Sequence, residues 1–431
     1  MKAKHFLTLL LLLGAFSMQA ADARRFSLSD ARAWALEHNR NMKAAGYALT
    51  KSEMALREAI ANGLPQVNAN ADYSNALGAK IVIRFNENMP PSEIDIKPTS
   101  NLFFNVNQLI FSGNYIVGIQ LARLSKELTE LSRERTELEV ISAVTDAYYM
   151  AQLTMESRNI LEQNVRNLEA LYNKTLAMAK VGMIESLNAE QLEVQLSNLR
   201  SSLASLERQH TMAENLLRLQ LGLDPETPIE LTDKLETLMQ AQQPVLPDVK
   251  LRLDKQIDFR MMLQQERLTQ KRVDLQRAAA LPTLAGFYRY TYKILKPDFD
   301  MTPKNIVGLQ LQIPIFSSGV RYYKTREAKI DLLTIENTKE QLSDQLKIQE
   351  KQLTFNLNSA LEQYENQRKS IDVSRRVYQS LKNKYENGMI SGLDLINADN
   401  NYLRAESDHL NAMMQVLSAR LQLDKLYGNL K

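Results

Sequence analysis

A chain of 431 residues with 53 Lys and Arg against 50 Asp and Glu, interspersed along its length, carries no electrostatic footprint for nucleic acid. The absence of cysteine excludes disulfides, thiolate metal sites and a lipid-modified Cys. With 14 Gly and 12 Pro punctuating stretches rich in Leu, Glu, Gln, Lys and Arg, most of the chain reads as long helix whose charged faces are solvated.

The N-terminus reads as an export leader. Lys2 and Lys4 precede an apolar run from Phe6 to Gly14, too short to span a bilayer, for which a helix needs about 20 apolar residues. Small residues at Ala20, Ala21 and Ala23 offer the cleavage site, so residues 1–23 are assigned to a signal peptide. No second long apolar run follows, and no transmembrane helix is expected in the mature chain.

A first helix is expected from about Ser29 to Asn62, with Ser27 or Ser29 as its cap and Gly63 and Pro65 beyond its end. From Gln66 to Tyr73 the pattern alternates. Val67, Ala69, Ala71 and Tyr73 lie on one side and Gln66, Asn68, Asn70 and Asp72 on the other, the period-two signature of a strand. Phe104, Val106 and Ile110 share a face across from Asn105 and Asn107. Leu284, Gly286, Tyr288, Tyr290 and Tyr292 form one face of a third strand. Val307, Leu309, Leu311, Ile313 and Ile315 form one face of a fourth. Such strands, about 8–11 residues each, have the length that crosses a membrane when tilted. Between the first two, Ser74 to Ser100 reads as a long external loop, with a shorter one from Lys293 to Asn305.

Each second strand leads into a very long helix. From Ser112 to about Lys180 the chain extends ~100 Å at ~1.5 Å per residue. In the other long helix a 4,3 alternation runs through Leu353, Leu357, Ala360, Tyr364, Gln367, Ile371, Ser374, Tyr378, Leu381 and Tyr385. Leu121, Leu124, Leu128, Leu131 and Leu138 show the same kind of spacing. A 3.5-residue period means coiled-coil packing, and the polar Gln367 and Ser374 at seam positions favour helices sandwiched in a larger array. Each rod ends at a glycine turn, Val181-Gly182-Met183 or Asn387-Gly388-Met389, and returns as a shorter helix.

These landmarks occur twice, in the same order. Leu64-Pro65 corresponds to Leu281-Pro282, Ile110-Phe111-Ser112 to Ile315-Phe316-Ser317, Gly182-Met183-Ile184 to Gly388-Met389-Ile390, and Gly222 to Gly428. The offset falls from 217 residues at the first pair to 205 at the second, which places the length difference in one loop. A repeat this long is a duplicated module, far beyond solenoid periods of ~20–50 residues. The chain divides accordingly into a signal peptide (1–23), a first repeat (24–222), a connecting segment (223–247, with Pro225, Pro228, Pro244 and Pro247) and a second repeat (248–431).

In this order and spacing of landmarks the chain resembles the TolC-like outer membrane efflux proteins. The resemblance implies a mainly α-helical chain with a membrane β-barrel portion, built from a duplicated module of long coiled-coil helices plus four strands. Three copies would form a 12-stranded outer-membrane barrel continued by a periplasmic helical barrel, with 223–247 as an equatorial belt. It implies a homotrimer in outer membrane lipid, working with a periplasmic adaptor protein and an inner-membrane transporter as the passive exit duct of an efflux pump or type I secretion system. The turns Val181, Gly182, Met183 and Asn387, Gly388, Met389 would then dock the adaptor.

The resemblance also implies a gate. The family's pair of acidic residues beyond the second turn falls on Asp394 and Asn397, so one acid is kept and the other is an amide. Three copies of Asp394 near a threefold axis would attract cations. The family's latch between an acid after the first turn and a tyrosine before the second glycine falls on Asn188 and Tyr385, where a hydrogen bond without charge assistance is expected. Read from its own residues alone, Asp394 is equally an acid favoured at a helix N-terminus.

Residues for catalysis or cofactor binding are not evident. His38, His210 and His409 stand singly, Glu190 and Glu193 read as surface charge, and no phosphate-binding glycine loop or nucleophile elbow occurs. No enzyme activity and no cofactor are expected. The competing reading is a secreted coiled-coil structural or interaction protein with a small soluble sheet. The apolar, tyrosine-bearing strand faces discriminate against it; four strands with open edges cannot stand alone in hydrocarbon, so several chains are expected to share one barrel.

Overall fold

The computed structural model describes residues 23–84, 90–241, 251–296 and 302–430. The expected leader lies outside them except for Ala23, as do residues 242–247 of the connecting segment. Two compact units are formed, each from several stretches of chain: residues 45–134 with 257–344, and residues 23–44 with 135–256 and 345–431.

The first of these units holds a four-stranded antiparallel sheet. Its strands are β2 (Gln66–Ser74), β5 (Thr99–Ser112), β7 (Thr283–Leu295) and β8 (Asn305–Gln312), in the order β2-β5-β7-β8. The register lines up residues of like character, in one row across all four strands and in others across three. Val67, Val106, Tyr288 and Val307 form one row, followed by Ala69, Phe104 and Tyr290, then Ala71, Leu102 and Tyr292. The opposite face carries Asn68, Asn105 and Arg289 in one row and Asp72, Asn101 and Lys293 in another. There Arg289 donates from Nε to Asn105 Oδ1 at 2.8 Å. Phe287, which also points to this side, lies over Gly308, where a Cβ would collide with its ring.

Three details depart from simple alternation. A bulge between Leu109 and Phe111 inserts Ile110, so that Phe111 pairs with Leu284 while Ile110 lies over Gly286. The fourth strand stops at Gln312, short of the expected Ile315, because Pro314 has no N–H for the ladder; the Pro314 carbonyl instead accepts a bond from Arg321 at 2.7 Å. The expected long loop after β2 contains a hairpin, β3 (Lys80–Ile83) with β4 (Ser92–Asp95), clasped by Lys80 and Glu93 at 2.9 Å. That hairpin lies where the first repeat has its extra length.

Helical segments of the same unit flank the sheet. Helix α2 (Arg40–Ala61) leads towards β2, α3 (Gly113–Lys180) leaves β5 without a break, α6 (Ile257–Ala278) precedes β7, and α7 (Val320–Glu386) follows β8 after a short turn. Buried Gln264 of α6 donates to the Leu124 carbonyl and Glu127 carboxylate of α3, and Lys339 of α7 pairs with Glu266 of α6 at 2.7 Å.

The other unit begins with β1 (Arg24–Phe26), parallel to β6 (Ile229–Leu231), and α1 (Leu28–His38). Helix α1 opens with a capping box of Ser27 and Asp30. The single helix expected from Ser29 to Asn62 is two helices, because Asn39 leaves helical geometry. Its side chain accepts from the Asn41 amide at 2.8 Å and donates to the Gln220 carbonyl at 2.7 Å. Helices α4 (Ser186–Leu221), α5 (Leu235–Ala241) and α8 (Gly392–Tyr427) complete this unit. Its main core gathers Phe26, Ala31, Val144, Tyr148, Leu217, Leu221, Leu235 and Leu417. The hydroxyl of fully buried Tyr148 donates to the Phe26 carbonyl at 3.0 Å and accepts from the Asp233 amide at 3.3 Å, which fixes the connecting segment on the core.

The coiled-coil seam is reproduced residue by residue. From 361 to 386, Tyr364, Gln367, Ile371, Ser374, Tyr378, Leu381 and Tyr385 are half-buried and every residue between them is exposed. The repeat is equally exact in element length: α4 and α8 have 36 residues each, and α2 and α6 have 22.

Helices α3, α4, α7 and α8 end in the same hydrogen-bonded turn, with a left-handed glycine at 182, 222, 388 and 428. At Gly182 an added Cβ meets open space, whereas at Gly222 it runs into the His38 carbonyl. Gly182→Ala is therefore expected to cost only the left-handed penalty, about 1 kcal/mol. Gly222→Ala should cost clearly more and lower the thermal unfolding midpoint further, a ranking that thermal melts of the two variants check.

Candidate gate and docking turns

Every candidate residue lies in the unit formed by residues 23–44, 135–256 and 345–431. At the end of α3 the Met183 amide donates to the Met178 carbonyl and Gly182 to Ala179, both at 3.0 Å. At the end of α7 Met389 donates to Lys384 and Gly388 to Tyr385, both at 2.9 Å. These paired bonds satisfy the last carbonyls of each helix and hold the turn rigid. The side chains they display are unpacked: Val181 is 71% exposed, Met183 70% and Met389 71%. Asn387 folds back onto the Asn383 carbonyl at 2.7 Å. Each turn thus offers an apolar knob on a fixed backbone, with open space around the glycine.

Beyond the second turn Ser391 caps α8. Its hydroxyl accepts from the Asp394 amide at 3.2 Å, while the Asp394 carboxylate accepts from the Ser391 hydroxyl at 2.7 Å and the Ser391 amide at 3.3 Å. The capping role that Asp394 suggests by itself is therefore realised, and the remaining carboxylate surface is exposed. Asn397 is exposed one turn further along, with Asn401 beyond it.

The Tyr385 hydroxyl is bonded to the Thr175 hydroxyl of α3 at 2.9 Å. Among the described residues no bond joins it to Asn188. The two are nevertheless neighbours, since a Cβ added at buried Gly392 would lie 3.6 Å from Asn188 Oδ1 and 3.7 Å from the Tyr385 ring. A second polar tie joins the returning helices, from Gln195 Nε2 of α4 to Asn400 Oδ1 of α8 at 2.7 Å. The sequence reading assigns no role to Thr175 or Gly392. Thr175 lies 210 residues from Tyr385 and carries no local signal, whereas Gly392 at the start of a helix was a visible oddity.

Asp399 was also missed. It occupies a buried position of α8 in the stripe Leu395, Asp399, Leu403, an acid at i+4 spacing where leucine is expected. Burial raises its carboxyl to about 6, and it bonds with Tyr378, whose phenol is itself pushed up to about 12, chiefly by burial and then by Asp399.

Among the described residues no group of three His, Asp or Glu is placed to hold a metal, and no helix is long and apolar enough to cross a membrane. The profile of the outer membrane efflux protein family matches residues 32–223 and 237–429. The chain belongs to that family, the TolC-like efflux proteins.

It is 24% identical over 319 residues to the toluene efflux pump outer membrane protein TtgC of Pseudomonas putida, an alignment covering 70% of this chain and 62% of TtgC. Its fold is similar to that of the CmeC outer membrane channel of Campylobacter jejuni, with a TM-score of 0.72 at 18% identity, over 93% of this chain and 85% of that one. The outer membrane protein VceC of Vibrio cholerae gives 0.71 at 13% identity, over 93% and 96% of the two chains.

The cap at Ser391 generates a direct test. Ser391→Ala removes the bond to the Asp394 amide and is expected to cost about 1 kcal/mol at the start of α8. Faster amide exchange confined to residues 391–396 is the expected result.

Proposed function

We propose that this protein is the outer-membrane exit duct of a tripartite efflux pump or type I secretion system. Three copies close a 12-stranded barrel, their helices continue it through the periplasm, and the passive channel so formed is gated at the periplasmic turns. A periplasmic adaptor docks on Val181, Gly182, Met183, Asn387, Gly388 and Met389 and links the duct to an inner-membrane transporter.

The observation that carries this reading is the sheet. Among the described residues its outer strands β2 and β8 have no partner on one side, while its apolar face, including Val67, Tyr292, Val307, Leu309 and Leu311, is exposed. In hydrocarbon each unpaired N–H or C=O costs several kcal/mol, so β2 and β8 need strands from further copies. The polar face with Asn68, Asn105 and Arg289 then lines water. Family membership supports the same arrangement.

At the gate, Asp394 and Asn397 present an acid and an amide towards the pore, and Tyr385 restrains α7 against α3 through Thr175. Asn188, beside Gly392, packs next to that restraint without bonding to it. Asp394→Ala is expected to reduce cation preference and cation block in single-channel recordings of the purified trimer. Tyr385→Phe is expected to raise its open probability. Unchanged conductance, selectivity and block in Asp394→Ala would place the constriction elsewhere.

Docking is tested by charge at the turns. Gly182→Glu or Gly388→Glu should abolish export while detergent-solubilised protein still has the mass of a trimer. Gly182→Ala, with the same backbone cost and no charge, should export normally. Normal export by the glutamate variants removes the docking role.

A further inference from the structure

Asp399 is used by neither the gate residues nor the docking turns, and its surroundings are specific. Only 7% of the residue is exposed. It lines a cavity of about 120 Å³ whose walls are Leu168 and Leu171 of α3, Tyr378 of α7, and Leu395 and Ile396 of α8. Tyr378 hydrogen-bonds the carboxyl, and its ring stacks on Tyr402 with centroids 5.6 Å apart and 11° between planes. Arg375 in turn donates to the Tyr402 hydroxyl at 3.4 Å. Among the described residues Asp399 makes no ion pair. At the equivalent place in the first repeat, 206 residues earlier, stands Glu193, which is exposed. Burial of an acid here is therefore particular to the second repeat and not imposed by the shared module.

The charged and titratable neighbours can be assigned helix by helix. From α7, Lys382 at the cavity rim favours the ionised form, as does the Tyr378 bond; from α8, Glu406 opposes it, and burial outweighs all of these. From α3 the lining is Asn167, Leu168, Ala170 and Leu171, with no ionisable group. A carboxylate in such a wall must recruit water or move towards it, while a neutral acid can stay.

We propose that Asp399 is a proton-operated packing switch: protonated, it lets α8 close on α3 and α7; ionised, it admits water to the cavity and loosens this three-helix contact. The direction follows from linkage. The folded carboxyl titrates at about 6, above its ordinary 3.8, so the folded chain holds the proton more tightly than the unfolded chain. The packing contribution is complete below the ordinary value and is lost as pH rises through about 6. The switch concerns helix packing and does not depend on the transport reading.

Hydrogen exchange on the full-length trimer in detergent tests it, with rates normalised for the intrinsic pH dependence of exchange. Protection at residues 395–403 and 167–171 is expected to fall on the order of tenfold between about pH 5 and pH 8, with its midpoint near 6. Asp399→Asn, which imitates the neutral acid, should abolish the step. Tyr378→Phe removes a bond that favours the ionised form, so the midpoint should move to higher pH. A flat parental profile, a step that survives Asp399→Asn, or an unmoved midpoint in Tyr378→Phe overturns the proposal. The phenylalanine variant keeps the test intact if the asparagine variant does not fold.

Discussion

With the sheet placed in the membrane as proposed, the hydrogen-bonding requirement of a strand backbone in hydrocarbon is the constraint on which the architecture depends. Water is not there to pair an exposed N–H or C=O, so a sheet in a membrane must close. Among the described residues this sheet has four strands, and β5 and β7 satisfy each other and their neighbours, while β2 and β8 each present an open edge. The rows that cross the sheet show that the pattern was not chosen strand by strand. Val67, Val106, Tyr288 and Val307 belong to both repeats, yet they register as one apolar line, and Asn68, Asn105 and Arg289 register as one polar line. Pro314 lies just past the end of β8, an edge strand, where its lack of an N–H ends the ladder.

The period of the hydrophobic pattern makes most of the fold legible in the sequence. Period two gave the strand faces, and the 4,3 alternation from Tyr364 to Tyr385 identified each half-buried residue of that stretch of α7. Failures occurred where one residue acts against its local pattern. Asn39 breaks a helix whose apolar spacing continues through it, since its side chain is committed to the Gln220 carbonyl of another element. Ile110 is an inserted residue, and insertion in a strand is invisible to a parity count. The hairpin of β3 and β4 was hidden among Gly, Pro and polar residues that read as loop.

At the candidate site the same division holds. The turns at Gly182 and Gly388 were readable because a left-handed cap demands glycine whatever surrounds it. The Tyr385 bond was not, because its partner Thr175 is chosen by helix packing and threonine mid-helix has no distinctive neighbour sequence. Asp399 occupies an intermediate case. Its position in an apolar stripe was visible, but only the tertiary structure shows that α3 and α7 cover it and that Tyr378 receives it.

Duplication supplied two copies of each turn, and their divergence bears on how they act. Both rods end in the same hydrogen-bonded glycine turn, but the helices that follow begin differently. Helix α8 starts with the reciprocal bonds of Ser391 and Asp394, whereas α4 starts at Glu185 without a side-chain cap. With the 206-residue offset, Glu185 corresponds to Ser391, Ser186 to Gly392, and Asn188 to Asp394. Asn188 thus stands in the first repeat where Asp394 stands in the second. Relieved of capping, its amide lies beside Gly392, where an added Cβ would make only ordinary contacts with Asn188 and Tyr385. One repeat spends its polar residue on its own helix start, and the other leaves it at the contact between helices. The contact is asymmetric for that reason, although the two backbones that make it are copies.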